Sequence, residues 1–217
     1  MAEDRGVPQV ADPAALGLAA FALTTFLLSL TNAFGESVAP LLTFFGFAAF
    51  YGGTVQLLAG MWEFKNRNTF GATAFSTYGG FWLGLAVFIG LVLMGKVPTK
   101  DVSLSVAWIL VAFAIFNTYM LLWSARISVA VFGVFLTLEA TEVVLFIGNF
   151  MGQAAGVGVT AVGGYLGILT ALVAWYTSAA IVVNSLSGRS VLPLGAPLWR
   201  PRPLAPGAGA PSPVTGA

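Results

Sequence analysis

The chain has 217 residues, of which 58% are hydrophobic and 8% charged, and it carries a formal net charge of +1 with no cysteine or histidine. Because soluble domains contain about 25% charged residues, this composition predicts a membrane protein. The absence of Cys and His excludes zinc sites, thiol nucleophiles, redox pairs and histidine proton relays, and the near-zero net charge gives no reason to expect nucleic acid as a partner.

Six apolar runs are each long enough to cross a bilayer, which takes about 20 residues. In chain order they cover residues 14–34, 38–62, 70–94, 104–125, 127–150 and 156–186. We therefore predict an all-α, polytopic membrane protein with six transmembrane helices in one domain, residues 12–195. Residues 1–11 are predicted to form a cytoplasmic tail. Residues 196–217 are rich in Pro and Gly, which cannot build a core, so we predict a disordered tail there.

The positions of Lys and Arg predict the orientation. With a cytoplasmic N-terminus, seven basic residues fall on the inner side and two on the outer side, which satisfies the positive-inside rule. The inner set is Arg5, Lys65, Arg67, Arg126, Arg189, Arg200 and Arg202, and the outer set is Lys96 and Lys100. We expect a multi-pass protein of the cell (inner or plasma) membrane with both termini cytoplasmic. Glu3 and Asp4 precede the first run and no cleavage pattern follows it, so that run is predicted to be a retained helix.

The first helix is predicted to begin at Asp12-Pro13. Asp is a favourable N-cap and Pro is favoured at the first helical position. A helix N-terminus also offers free amide groups and a partial positive charge to an approaching anion. We therefore take Asp12 and Pro13 as a candidate pore mouth.

Polar side chains interrupt the other apolar runs. The candidate hydrogen-bond donors among them include Thr73, Asn117, Thr118, Asn149 and Tyr176. For a single Ser or Thr, a hydrogen bond to its own backbone one turn back is the common alternative in membrane helices. Glu63 stands four residues before Arg67 across a short charged turn, so we expect an ion pair between them at the membrane interface.

Two glutamates lie in the fifth run, well inside the bilayer. Glu139 and Glu142 stand roughly 18 and 22 Å from the start of that run, at about 1.5 Å per residue, and no basic residue lies at that depth. A carboxylate is costly to ionise there, and two carboxylates three residues apart repel each other. At least one is therefore expected to be neutral. Two roles stay open: a proton-binding site or filter in a permeation path, or a neutral carboxyl bonded to a neighbouring helix.

Small residues recur four apart in three of the runs, most plainly as Gly80-x-x-x-Gly84 and Gly163-x-x-x-Gly167, with Ala49 and Gly53 as a third pair. Such spacing lets helix backbones approach closely. We favour packing inside the bundle over contact between protomers as its cause.

Three segments carry a resemblance to a known family: FYGGTVQLLAGMWEFKNRNTFGATAFSTYGGFW at 50–82, DPAALGLAAF at 12–21 and GRSVLPLG at 188–195. On these segments the chain resembles the acetate uptake transporters, the YaaH/SatP acetate–succinate permease family, over about residues 12–195. The resemblance implies a transporter or channel for acetate and related small carboxylates such as succinate. It further implies a homo-hexamer with one pore per protomer.

The resemblance also assigns residues. It implies a hydrophobic constriction of Phe21, Tyr78 and Leu138, with Leu136 as the alternative to Leu138, and polar pathway residues Gln56, Ser76 and Thr77. Such a ring gates by excluding water. The chain departs from the family pattern at three positions, which are Asp12 (Asn in the family), Ala15 (Pro in the family) and Glu139 (apolar or hydroxyl in the family).

The intramembrane carboxylates also bear on two other functions. A membrane-embedded enzyme using Glu139 and Glu142 lacks a second catalytic group, so we predict no enzyme, no metal and no cofactor. A pore for a small neutral solute such as ammonia or urea is the alternative, because intramembrane carboxylates without a basic residue suit such a solute better than an anion. The sequence leaves channel and proton symporter as open alternatives.

Overall fold

The computed structural model describes residues 10–199, in which six helices are long and apolar enough to span a membrane. They are α1 (Ala14–Phe34), α2 (Leu42–Lys65), α3 (Thr69–Leu93), α4 (Thr99–Ser124), α5 (Val129–Phe150) and α6 (Gly158–Ser187). These residues contain no β-strand, so the all-α, six-helix prediction is confirmed. The predicted tails lie mostly in residues 1–9 and 200–217, outside the described residues.

Two helix boundaries differ from the prediction by several residues. Helix α2 begins at Leu42 instead of residue 38, because Pro40 disfavours the helical conformation of the residue before it, and it continues through Glu63 to Lys65. Helix α4 begins at Thr99 instead of residue 104, directly after Pro98 and with Asp101 in its first turn. A carboxylate in the first turn is favoured by the helix dipole, so this polar turn belongs to the helix although it is not apolar.

The helices form one bundle in which α1 packs against α6 and α2. Helix α6 also contacts α5, α5 contacts α4, and α2 contacts α3. Polar side chains such as Thr24, Asn117 and Thr177 are fully buried, whereas apolar side chains such as Val87 and Ile115 are exposed. This distribution suits a lipid environment, where the outer surface of a bundle must be apolar.

Capping side chains start three of the helices. Asn68 accepts a hydrogen bond from the Gly71 N–H at 3.1 Å before α3, and Ser128 accepts one from Val131 at 3.2 Å before α5. Helix α1 begins at Ala14, one residue later than predicted, and Asp12 Oδ1 accepts the Ala14 N–H at 2.9 Å. Each bond satisfies an amide that has no partner within the helix.

Helix α2 is interrupted by a π-helical segment, Ala48–Val55. Within it the Thr54 hydroxyl donates to the Ala49 carbonyl, five residues back, at 3.0 Å. The segment lies against α1, because a Cβ added at Gly52 would meet the Thr24 side chain at 2.6 Å. Such π-bulges are frequent at functional sites.

The two glycine pairs predicted as close-packing motifs behave differently. A Cβ at Gly163 would meet Leu145 at 2.6 Å, and one at Gly167 would meet the side chains of Ser29 and Thr141. Packing within the bundle is thus confirmed for this pair. Gly80 and Gly84 have no atom within 4 Å of an added Cβ, so their face of α3 is open.

The segment after α6 folds back onto the bundle. The Asn184 side chain accepts the N–H groups of Val191 and Leu192, at 2.7 and 3.0 Å, and the Leu194 carbonyl accepts the Ala130 N–H at 2.9 Å. Residues 196–199, which the prediction assigned to the disordered tail, also contact the bundle. There the Trp199 N–H donates to Ala125 O at 3.0 Å and the Arg126 guanidinium lies 4.2 Å from the Trp199 ring.

Candidate functional site

Two cavities lie along the bundle. The basic end of the bundle is the end that carries Lys65, Arg67, Arg126 and Arg189, and the distal end is the opposite one. The basic-end cavity, with a volume of about 300 Å³, is bordered by the starts of α1, α3 and α5. The distal cavity, of about 50 Å³, lies beyond it toward the distal end and is lined by α1, α3, α4 and α5.

Three side chains line both cavities: Phe21 of α1, Tyr78 of α3 and Leu138 of α5. They lie roughly 10 to 14 Å from the starts of their helices, at 1.5 Å per residue. The Phe21 and Tyr78 rings meet edge to face, with centroids 5.8 Å apart. We call these three residues the constriction ring. They are the residues that the family resemblance implied for the gate.

The alternative leucine lies elsewhere. Leu138 is 6% exposed and belongs to the same buried cluster as Phe21 and Tyr78, whereas Leu136 is 48% exposed and lines neither cavity. The two positions differ by about 200° around a helix, so only one of them can face the bundle axis.

Aromatic rings from two helices surround Tyr78. Its ring centroid lies 6.4 Å from Phe81, 5.9 Å from Phe113 and 5.5 Å from Phe116. Edge-to-face and tilted aromatic pairs of this kind each add about 0.5 to 1.5 kcal/mol beyond area burial. The packing therefore holds the Tyr78 ring in place and leaves its hydroxyl as the polar group of the constriction ring.

The Tyr78 hydroxyl belongs to a buried polar network. It lies 3.0 Å from Asn117 Oδ1 and 3.3 Å from Glu142 Oε1. Asn117 Nδ2 donates to the Phe135 carbonyl at 3.0 Å and to Glu139 Oε2 at 2.6 Å. The Thr118 hydroxyl lies 2.8 Å from Glu139 Oε1.

The two glutamates of α5 have different surroundings. Glu139 is half-buried, lines neither cavity, and is bonded to α4 through Asn117 and Thr118. Glu142 lines the distal cavity about 6 Å beyond the constriction ring along α5, and its Oε2 has no hydrogen-bonding partner. One glutamate is thus a helix–helix contact and the other faces the cavity.

Of the other predicted polar residues, some line a cavity and some lie in a contact between helices. Gln56 is 1% exposed and lines the basic-end cavity, and its Oε1 has no partner. Ser76 packs against Gly60 between α2 and α3, and neither Ser76 nor Thr77 lines either cavity. At the predicted mouth, Asp12 lines the basic-end cavity and Pro13 lies beside it at the start of α1.

The expected Glu63–Arg67 ion pair is wrong. Helix α2 extends past Glu63 and turns its side chain inward, where it is 0% exposed and lines the basic-end cavity. Neither carboxylate oxygen has a hydrogen-bonding partner. Arg67 stands in the turn after the helix with a positive φ of 58° and is exposed.

Two contributors to the site were undervalued in the sequence. Asn117 was only one of several candidate donors without a family match, yet it is 0% exposed and joins Tyr78 to Glu139. Glu63 was placed at the surface. In both cases the available signal was a large polar side chain inside an apolar helix. Among the described residues no group of three His, Cys, Asp or Glu side chains could hold a metal ion.

Comparison with known proteins decides the family. The family model described as the GPR1/FUN34/yaaH family matches residues 3–194. The chain belongs to the GPR1/FUN34/yaaH family. The resemblance seen in the three sequence segments is therefore confirmed.

Characterised members of the GPR1/FUN34/yaaH family are similar over most of the chain. The succinate-acetate/proton symporter SatP of Escherichia coli K12 is 34% identical over 88% of this chain and 98% of its own length. Acetate permease A of Emericella nidulans is 37% identical over 88% and 68%, and ammonia transport outward protein 2 of Saccharomyces cerevisiae is 40% identical over 80% and 62%. The chain thus spans slightly less than two thirds of the length of that yeast relative.

A solved structure of the family shares the fold. The structure of the bacterial acetate channel SatP is similar with a TM-score of 0.79 and 33% sequence identity, over 86% of this chain and 99% of that one. The agreement therefore extends over nearly the whole of the solved chain.

Proposed function

We propose that each protomer forms its own membrane pore, through which acetate and related small carboxylates, including succinate, cross. The observation that carries the proposal is the constriction ring: Phe21, Tyr78 and Leu138 separate two cavities that lie along one bundle. A narrow apolar constriction between two cavities favours small solutes whose dehydration costs little free energy.

The relatives supply the solute class. SatP of E. coli is named for succinate and acetate, and the fungal permease for acetate. A short monocarboxylate pairs one apolar methyl group with one polar group. The ring offers the same combination, two apolar side chains and the Tyr78 hydroxyl, which is why acetate fits it better than a larger or more polar solute.

We further propose that Glu142 exchanges protons with the pathway. Asn117 Nδ2 donates its two hydrogens to Phe135 O and Glu139 Oε2. Asn117 Oδ1 can only accept a hydrogen bond. The hydroxyl proton of Tyr78 must therefore point to Asn117 Oδ1. The 3.3 Å approach of Glu142 Oε1 to Tyr78 is then favourable when Glu142 carries a proton and donates it. Loss of that proton would turn the Tyr78 hydroxyl toward Glu142 and away from Asn117.

The proposal also covers the orientation of the protein in the membrane and its assembly. We place the protein in the cell (inner or plasma) membrane with its basic end and both termini on the cytoplasmic side, because Lys65, Arg67, Arg126 and Arg189 lie at that end.

We also propose a homo-hexamer. The number six comes from the family resemblance, and contact between protomers is supported by the open α3 face at Gly80 and Gly84, which a neighbouring protomer can approach closely. Native mass spectrometry of the purified protein tests the stoichiometry.

The test of function is radiolabelled acetate flux into proteoliposomes, with and without an imposed pH gradient. A pore predicts saturable uptake above empty liposomes, and proton coupling predicts accumulation driven by an inward proton gradient. Uptake equal to that of empty liposomes at every gradient would refute the proposal. Uptake that only equilibrates would assign the chain to channels instead of symporters.

A second candidate is a pore for ammonia or urea. It is favoured by one observation: within residues 10–199 no Lys or Arg side chain lines either cavity, whereas the carboxylates of Asp12, Glu63 and Glu142 border them. A yeast relative is also named for ammonia transport. Stopped-flow light scattering with urea and ammonium gradients, on the same proteoliposomes, separates this candidate from the first.

A further inference from the structure

Glu63 is a buried carboxyl group without a hydrogen-bonding partner among the described residues. Its side chain is 0% exposed, and neither of its oxygens accepts a hydrogen bond there. The side-chain amides of Asn66 and Asn68 lie near it, and Asn68 Nδ2 and Glu63 Oε1 both border Gly71, but neither amide is in hydrogen-bonding geometry with an oxygen. A buried carboxylate without compensation is costly, so either a proton or a bound cation must stabilise this side chain.

Two nearby basic residues are engaged elsewhere, and a third, Arg67, is exposed in the turn after α2. The Lys65 ammonium lies 5.5 Å from the centroid of the Trp62 ring. The Arg126 guanidinium lies 5.2 Å from the Trp123 ring and 4.2 Å from the Trp199 ring. Neither residue lines the basic-end cavity.

Among the described residues, the basic-end cavity is lined by charge of one sign only. Its charged lining residues are Asp12 and Glu63, and most of the rest of its wall is apolar. A cleft lined by one sign of charge with low-dielectric walls concentrates counter-ions.

We propose that Glu63 anchors a monovalent cation in the basic-end cavity, with the Asp12 carboxylate as the second negative group that lines this cavity. Sodium, potassium and ammonium all accept such oxygens, and the experiment below distinguishes them. The bound ion would neutralise the cavity that a carboxylate anion must enter. This consequence for transport rests on the proposed function, whereas the binding itself does not.

The binding test is thermal unfolding of the purified full chain in detergent, at constant ionic strength. Sodium, potassium or ammonium chloride replaces the chloride of N-methylglucamine, a cation too bulky to share the carboxylate. An ion present at about ten times its Kd should raise the unfolding midpoint by about 3 to 5 °C for a chain of this size. Glu63→Gln should abolish the rise. Glu36→Gln, which removes an exposed carboxylate between α1 and α2, should keep it.

A second variant guards against a folding defect in Glu63→Gln. Asp12→Asn retains the capping oxygen and removes one negative charge, so it should weaken the apparent cation affinity several-fold while unfolding cooperatively. The inference is overturned if none of the three cations raises the midpoint of the parent, because Glu63 would then carry its own proton. It is equally overturned if a folded Glu63→Gln protein shows the full rise.

Flux separates this inference from the proposed function. Acetate uptake by the parent should be several-fold faster in sodium, potassium or ammonium than in N-methylglucamine, and the difference should vanish in Glu63→Gln. Cation binding without acetate uptake in any salt would leave the site standing and refute the pore. Acetate uptake that is independent of the cation, together with no thermal shift, would do the reverse.

Discussion

Truncation of Leu138 tests the constriction ring most directly. Leu138→Ala removes three carbon atoms from the point where the two cavities meet. Buried Leu→Ala changes cost about 2 to 5 kcal/mol of folding free energy. We expect the lower part of that range, because the side chain already borders empty space on two sides and so loses few packing contacts.

The same truncation should change selectivity. A wider ring lets a passing carboxylate keep one more hydrogen bond to water, worth about 1 to 1.5 kcal/mol. Since about 1.4 kcal/mol corresponds to a factor of ten in rate, succinate flux should rise about tenfold. Acetate flux should rise less, because acetate is the smaller solute, so the ratio of succinate to acetate flux should increase.

The assay is paired uptake of radiolabelled succinate and acetate into proteoliposomes of equal protein content. Leu136→Ala is the matched control, since it makes the same chemical change two residues away on the outer face of α5. An unchanged flux ratio in Leu138→Ala would remove this side chain from the gate. An equal change in both variants would refute the argument from geometry.

Three further changes have distinct expected outcomes. Asp12→Asn deletes a negative charge at the mouth, so acetate uptake measured in N-methylglucamine, where no small cation is available to bind, should strengthen, most at low ionic strength where screening is weak; weaker uptake there would mean that the carboxylate is required. Glu142→Gln should flatten the dependence of flux on pH between about pH 5 and 8, whereas Glu139→Gln should mainly lower stability, as followed by gel filtration and thermal unfolding; an E142Q profile identical to the parent's would make that carboxyl structural. Gly60→Ala should destabilise by about 1 to 3 kcal/mol, because the added Cβ would lie 2.7 Å from a backbone nitrogen of α3, whereas Gly80→Ala, which meets open space, should not; equal unfolding midpoints for the two would contradict this packing.

The hydrophobic pattern was sufficient to predict the six helices, because a bilayer requires every span to be a long apolar helix. The predicted helix boundaries were wrong where a polar or charged segment is nevertheless helical. The first turn of α4, with Lys100 and Asp101, is helical although it is not apolar. The charged end of α2 is helical as well, and this extension is what turns Glu63 into the bundle.

The sequence by itself determined the membrane class, the number of spans and, through motif spacing, the family, since all three depend on residues close together in the chain. Only the tertiary structure decided which polar side chains meet. Tyr78, Asn117 and Glu142 lie on three different helices, and the choice of Leu138 over Leu136 depends on how α5 is rotated in the bundle. Helix rotation and neighbour choice arise from packing between distant segments, such as Gly163 against Leu145, and a single sequence read for local periodicity contains no record of such contacts.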